Sequence, residues 1–140
     1  MYSNDELLCF NILESVNKII EITINMTSLD DLKRDYVPFD AVMMNFIIIG
    51  EMAGKLSEEF KDKDEEIEWH KIYSFRNIIA HDYFGIDEIV VWQIIQTKIP
   101  VLKNRLETIF TFRLRINQIL FTPNRILFIP NRIFFHPKFF

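Results

Sequence analysis

The chain has 140 residues, enough for one domain with its own core, and apolar residues make up 49% of it. Its apolar stretch 41–50 is about half as long as a bilayer span, and its N-terminus lacks the basic segment and cleavage site of a secretory signal. Residues 1–112 hold 11 Lys and Arg against 20 Asp and Glu, whereas residues 113–140 hold five basic residues and no acid. This balance disfavours a general nucleic-acid binder, because affinity for phosphate comes largely from basic side chains. Any RNA must then be bound at a local basic cleft or by the tail.

The first predicted helix begins with a capping box, in which Ser3 and Glu6 bond to each other's backbone amides. The apolar positions after it have the spacing of an amphipathic helix: Cys9, Ile12, Leu13, Val16, Ile19 and Ile20. We expect this helix to end near residues 25–27. Cys9 is the single cysteine, so it forms no internal disulfide, and its apolar neighbours indicate a buried thiol in a reducing compartment. We therefore expect a cytoplasmic protein with no membrane association.

The next predicted elements are a short helical turn capped by residues 28–31 and then a long helix. Pro38 suits the first turn of that helix, where its missing amide proton costs nothing, and we expect the helix to run to about Lys61. Gly50 and Gly54 lie on one side of it, and glycine inside a helix costs about 0.5–1 kcal/mol relative to alanine. Close approach of another helix is the simplest compensation for that cost.

Residues 62–68 are charged and predict a solvated loop before a fourth helix. The spacing that marks this helix is that of Trp69, Ile72, Phe75 and Ile79. Gly85 interrupts the chain, a fifth helix follows, and Pro100 either kinks that helix or opens a sixth. Because no stretch of any length alternates apolar and polar residues, we predict an all-α fold, an antiparallel helical bundle over residues 1–112.

Residues 113–140 are predicted to form a separate, basic, Pro/Phe-rich tail. Residues 120–126 and 127–133 repeat a seven-residue unit that ends in Pro-Asn-Arg-Ile, and residues 134–140 are a degenerate third copy. The proline in each copy forbids a continuous helix, and three such copies are too short for a solenoid. Two interpretations remain: a low-complexity extension, or a basic and aromatic strip that contacts RNA or a partner.

The common signatures of metalloproteases, thiol redox sites, phosphate loops and serine hydrolases are absent. The three histidines are scattered, so we predict no metal and no cofactor. The stretch 76–83 is the exception, because Arg76 lies in a largely apolar helix and His81 follows five residues later, about 140° around the helix axis. The two converge only if the helix ends near Ala80 and the chain turns, or if they meet across a dimer axis. The residues alone also permit a surface cation at Arg76 and a helix-end residue at His81.

The stretch 76–83 also resembles the motif of a known protein family. Arg76-Asn77-x-x-x-His81-x-Tyr83 matches the Arg-x4-His-x-Tyr signature of the HepT-like branch of the HEPN superfamily. Residues 48–57, Ile-Ile-Gly-Glu-Met-Ala-Gly-Lys-Leu-Ser, resemble the family's "IIGEA…LS" helix. Further matching positions are Trp69, Tyr83-Phe84-Gly85, Val91-Trp92, Ile99-Pro100 and Leu102. The resemblance covers about residues 3–111 and does not include the tail.

The resemblance implies an antiparallel helical bundle that pairs as a homodimer and brings two Arg/His motifs into one cleft. Members of the family are metal-independent endoribonucleases, the toxins of type VII-like toxin–antitoxin pairs. Their partner is a minimal nucleotidyltransferase antitoxin of the MntA type, which AMPylates the motif tyrosine, here Tyr83. In this scheme His81 takes a proton from the RNA 2′-hydroxyl, and Arg76 offers a bidentate fork to the phosphate.

Two further residues have supporting roles in the predicted site. Asn77 orients His81 or donates to a phosphate, and Glu51 either positions Arg76 or serves only the structure. A non-catalytic HEPN module that binds nucleotides or a nucleotidyltransferase is the alternative function, and a purely structural dimer is a third. The motif favours the nuclease, since a binding module need not keep all three of its residues, Arg76, His81 and Tyr83.

Overall fold

The computed structural model describes the backbone of residues 3–121 and the side chains as far as residue 112. Within this range the chain forms helices and no strand, which confirms the predicted all-α class. The helices are α1 (Asn4–Thr23), α2 (Leu29–Lys33), α3 (Tyr36–Lys55), α4 (Glu58–Lys61), α5 (Trp69–His81) and α6 (Glu88–Phe121), with a 3₁₀ turn (Tyr83–Gly85) between the last two. The tail repeats, apart from the first residues of the first copy, lie outside the described residues.

The chain divides into two units, residues 1–109 and residues 110–140. The first unit is the helical bundle, and α3 is its central helix, packed against α1 and against α5. The side chains that α3 buries are Val42, Met43, Asn45, Phe46, Ile49 and Ala53. By length and composition alone α3 is also apolar enough to cross a membrane. A central helix of a bundle passes the same test, because it buries apolar side chains against neighbours on both sides.

The capping box that was predicted for α1 is confirmed. The Ser3 amide donates to the Glu6 carboxylate at 2.6 Å, and the Glu6 amide donates to the Ser3 hydroxyl at 3.3 Å. The helix ends at Thr23, two residues before the predicted end. The reason is local competition for backbone groups, since the chain enters a turn in which the Met26 amide donates to the Thr23 carbonyl at 2.9 Å.

The prediction that the third helix runs to about Lys61 was wrong, because α3 ends at Lys55 and the short helix α4 follows. Ser57 causes the break: its hydroxyl accepts from the Phe60 amide at 3.2 Å and so caps α4. Its own amide and hydroxyl donate to the Asp5 carboxylate at 2.9 and 2.7 Å. The junction between α3 and α4 is therefore hydrogen-bonded to the first turn of α1.

Pro100 does not open a sixth helix, since α6 continues through it. The buried positions of α6 keep the same helical phase on both sides of the proline: Val91, Ile95, Ile99, Leu102 and Leu106. Pro100 itself lies on the exposed side. The carbonyl that loses its partner there, that of Gln96, can bond to water instead. Burial of one continuous apolar stripe thus outweighs one missing hydrogen bond.

Candidate active site

The site is built where α3 and α5 approach closely at two glycines of α3. A Cβ atom on Gly54 would lie 2.7 Å from the Tyr73 ring, and one on Gly50 would overlap the Cβ atom of Arg76 and lie 3.3 Å from the Ile72 carbonyl oxygen. The predicted close approach of a helix to these glycines is therefore confirmed, and the neighbour is α5 of the same chain. Gly50 leaves the space that the base of the Arg76 side chain occupies.

This geometry predicts that Gly50→Ala disturbs the site far more than Gly54→Ala. At Gly50 the added methyl meets the Arg76 side chain close to the backbone, where it has little freedom to move, and overpacking of this kind costs about 1–3 kcal/mol. At Gly54 the neighbour is an exposed tyrosine ring that can rotate away. Urea unfolding of the two variants measures the difference. Equal free energies of unfolding would contradict the prediction.

The Arg76 guanidinium is held by two neighbours. One terminal nitrogen donates to the Glu51 carboxylate in an ion pair, and the other donates to the Asn77 side-chain oxygen at 2.8 Å. Its Nε atom is buried and has no partner among the described residues. A guanidinium has five N–H donors, so each terminal nitrogen keeps one N–H for an anion. The structure thus brings together Arg76, Asn77 and Glu51 of the predicted site.

His81 stands apart from these three residues. It is the last residue of α5, its side chain is exposed, and no hydrogen bond or ion pair joins it to another described side chain. The helix ends within one residue of Ala80 and the 3₁₀ turn follows, but no hydrogen bond joins the imidazole to Arg76. Convergence of the two residues across a dimer axis stays a prediction.

Tyr83 lies on the 3₁₀ turn that follows α5, and the preceding residue shapes that turn. The Asp82 carboxylate accepts from the Gly85 amide at 3.2 Å, and a Cβ atom on Gly85 would overlap the same carboxylate. The Tyr83 hydroxyl donates to the Asp40 carboxylate of α3. Burial, together with the hydrogen bond to Asp40 and the charge of Asp40, raises the pKa of Tyr83 to about 12. The turn therefore holds a protonated phenol against α3.

Aromatic rings surround this tyrosine. The Phe39 ring meets the Tyr83 ring edge-on with centroids 6.5 Å apart, and the Phe84 ring does so at 5.6 Å. Phe84 is fully exposed. The sequence did not indicate Asp40 and Phe39 as neighbours of Tyr83. Its helical spacing shows only that Asp40 and Glu51, 11 residues apart, lie about three turns apart on one face of a helix.

Other features of the described part of the chain lie away from this chemistry. Among its residues no group of three or more His, Cys, Asp and Glu could hold a metal ion. Burial raises the pKa of the Cys9 thiol to about 12, so this thiol is unreactive at neutral pH. A cavity of about 240 Å³ opens between α3, α5 and α6, lined largely by apolar side chains such as Ile72, Phe75 and Ile94. None of the predicted site residues lines it.

Comparison with known proteins adds an independent observation. A family model described as "Ribonuclease HepT-like" matches residues 12–109. MJ1380 of Methanocaldococcus jannaschii, named as a candidate RNase, is 32% identical over 100 residues, which cover 71% of this chain and 91% of that protein. "Probable ribonuclease HepT" of Thermococcus cleftensis is 33% identical over 97 residues, 69% of this chain and 87% of that protein. No solved structure matches the chain significantly.

Proposed function

The chain belongs to the HepT-like ribonuclease family, and on that premise we propose that it is a metal-independent endoribonuclease toxin that acts as a homodimer in the cytoplasm. The observation that carries the proposal is the guanidinium of Arg76, fixed by Glu51 and Asn77 with N–H groups to spare. His81, an imidazole without a described partner, ends the same helix. The guanidinium can bind a phosphate, and the imidazole can take up and release a proton near neutral pH.

The proposed reaction uses the nucleophile that RNA itself carries. The 2′-hydroxyl oxygen attacks the adjacent phosphorus, its proton passes to His81, and the bond to the 5′-oxygen breaks, leaving a 2′,3′-cyclic phosphate. Water supplies the proton that the departing 5′-oxygen takes up. Negative charge builds on the non-bridging oxygens during this step, and the free N–H groups of Arg76 stabilise it. Such a mechanism requires neither a metal nor a cofactor.

A dimer completes the site in this proposal. Arg76 of one protomer and His81 of the other form each catalytic pair, since the two residues do not meet along one helix. Exposed apolar side chains on α3 and α5 are available for the contact: Met44, Tyr73 and Ile78. A two-fold axis would place the same patch on both sides of the interface.

Mixed dimers test the composite site directly. Arg76→Ala and His81→Ala proteins should each be inactive, whereas a mixture that has exchanged subunits should regain RNA cleavage in EDTA. Half of the dimers are then mixed and hold one intact pair of the two, so about a quarter of the wild-type activity is expected. Sedimentation at micromolar concentration measures whether the subunits pair, and we expect a dimer. An inactive mixture with demonstrated subunit exchange would contradict the composite site.

The partner in this proposal is a nucleotidyltransferase antitoxin of the MntA type that AMPylates Tyr83 and thereby silences the toxin. The placement of Tyr83 supports it, because the residue lies on a surface turn two residues beyond His81. One AMP adds a purine and about one negative charge, which would repel an RNA phosphate from the cleft and compete for Arg76. A non-catalytic binding module is the alternative, and it predicts no RNA cleavage.

A further inference from the structure

Outside the proposed catalytic pair, the Tyr83 hydroxyl donates a hydrogen bond to the Asp40 carboxylate. Asp40 lies near the beginning of α3, and its side chain is exposed. No lysine or arginine within residues 3–112 forms an ion pair with it, whereas Glu51 on the same face of α3 pairs with Arg76. The Asp40 carboxylate is therefore not shared with a cation, and it accepts the hydrogen bond from the Tyr83 hydroxyl.

The turn that carries Tyr83 is built so that the hydroxyl is presented to Asp40. The Asp82 carboxylate accepts from the Gly85 amide and closes the turn, and the Phe39 ring of α3 lies nearly perpendicular to the tyrosine ring. Phe39 and Asp40 are consecutive residues, so one helical turn supplies both the ring contact and the acceptor. Such support holds a reacting oxygen and its base in hydrogen-bond contact before any partner binds.

A tyrosine in this environment requires a base in order to react as a nucleophile. Its pKa of about 12 keeps the hydroxyl protonated at neutral pH, and a neutral phenol is a weak nucleophile. A carboxylate that already accepts the hydrogen bond can take the proton as the new bond forms. The chain itself, rather than the enzyme that modifies it, supplies this group.

Resting on the proposed modification of Tyr83, we propose that Asp40 is the proton acceptor that activates Tyr83 for nucleotidyl transfer. The Tyr83 oxygen attacks the α-phosphorus of ATP held by the nucleotidyltransferase, and an O–P bond forms. The bond between the α-phosphorus and the bridging oxygen breaks, so pyrophosphate leaves. The hydroxyl proton passes to Asp40 and then to water. The product carries a charged phosphodiester on the oxygen that Asp40 had held.

Asp40→Asn tests this role, because asparagine keeps the shape and can still accept a hydrogen bond but cannot take the proton. With the full chain as the substrate of its nucleotidyltransferase, kcat for AMP transfer should fall by about 10²–10⁴-fold, which is the usual effect of losing a positioned base. KM should change little, and Asp40→Glu should recover part of kcat. Glu21→Gln removes an exposed acid from α1 and serves as the matched control. RNA cleavage by unmodified Asp40→Asn protein should equal that of the wild type.

The outcomes separate the inference from the function on which it rests. No AMP on the wild-type protein would overturn the modification itself. Equal kcat for wild type and Asp40→Asn, or a loss confined to KM, would overturn the role of Asp40 alone, as would an Asp40→Glu protein no faster than Asp40→Asn. Ultraviolet titration needs no partner, and Asp40→Ala, which removes both the hydrogen-bond acceptor and the charge, should lower the pKa of Tyr83 toward its ordinary value, with Tyr83→Phe as the reference. An unchanged pKa would mean that the contact is absent in solution.

Discussion

Replacing His81 by alanine is expected to lower RNA cleavage by about 10²–10⁴-fold, because the 2′-hydroxyl would lose the base that takes its proton. The fold should survive, since the side chain is exposed and ends a helix. Initial rates in EDTA, with detection of 2′,3′-cyclic phosphate ends, measure the loss, and growth toxicity should disappear with it. His70→Ala is the matched control, because His70 is an exposed histidine at the other end of α5.

Arg76→Ala should abolish cleavage for a different reason, the loss of the fork that stabilises charge on the phosphate. Arg76→Lys should restore little of the rate, because an ammonium group is a single point charge and cannot bond both to its supporting residues and to two phosphate oxygens. Full cleavage by His81→Ala, or a strict requirement for Mg²⁺, would contradict the proposed mechanism. Either result would indicate a nuclease with a different mechanism, whereas no RNA cleavage by the wild-type protein would favour the non-catalytic binding module.

Local signals in the sequence were sufficient for much of the fold. The capping box of Ser3 and Glu6 involves residues three apart, and the helical spacing of α5 involves one element, so both could be predicted without tertiary information. The two glycines of α3 also predicted a close neighbour correctly. The early end of α3 has a local part, the cap that Ser57 provides for α4, and a part that no local signal carries, the bond of Ser57 to Asp5, 52 residues away. Pairing over such a distance depends on the whole bundle.

The contacts of the site also differ in whether a local sequence pattern could predict them. The grouping of Arg76 with Asn77 and Glu51 was suggested by the motif and the helix that resembles the family pattern, and the structure places the three side chains in contact. The contact between Tyr83 and Asp40 joins residues 43 apart, and no local pattern indicated it. The pairing of Arg76 with His81 requires a second chain in our proposal, so neither the sequence nor one protomer contains it.

Tyr83→Phe should leave the chain toxic but free of regulation by the antitoxin. The variant keeps Arg76 and His81, and the hydroxyl has no part in cleavage, so RNA should be cut at close to the wild-type rate. The lost hydrogen bond leaves an exposed carboxylate at Asp40 that water can solvate, and the free energy of unfolding should fall by about 1 kcal/mol at most. Without the hydroxyl oxygen no AMP can be attached, so the variant should escape the antitoxin.

Mass spectrometry of the chain coexpressed with its nucleotidyltransferase measures this escape. The wild-type mass should rise by one or more AMP units, and its RNA cleavage should stop, whereas the Tyr83→Phe mass should stay unchanged while cleavage continues. Tyr36→Phe is the matched control, since Tyr36 is an exposed tyrosine at the start of α3 without a hydrogen bond to an acid among the described residues, and it should be modified and silenced like the wild type. AMP on another residue, or silencing of Tyr83→Phe by the enzyme, would mean that a residue other than Tyr83 carries the regulatory modification. In that case the hydrogen bond to Asp40 would be a structural tie between α3 and the turn.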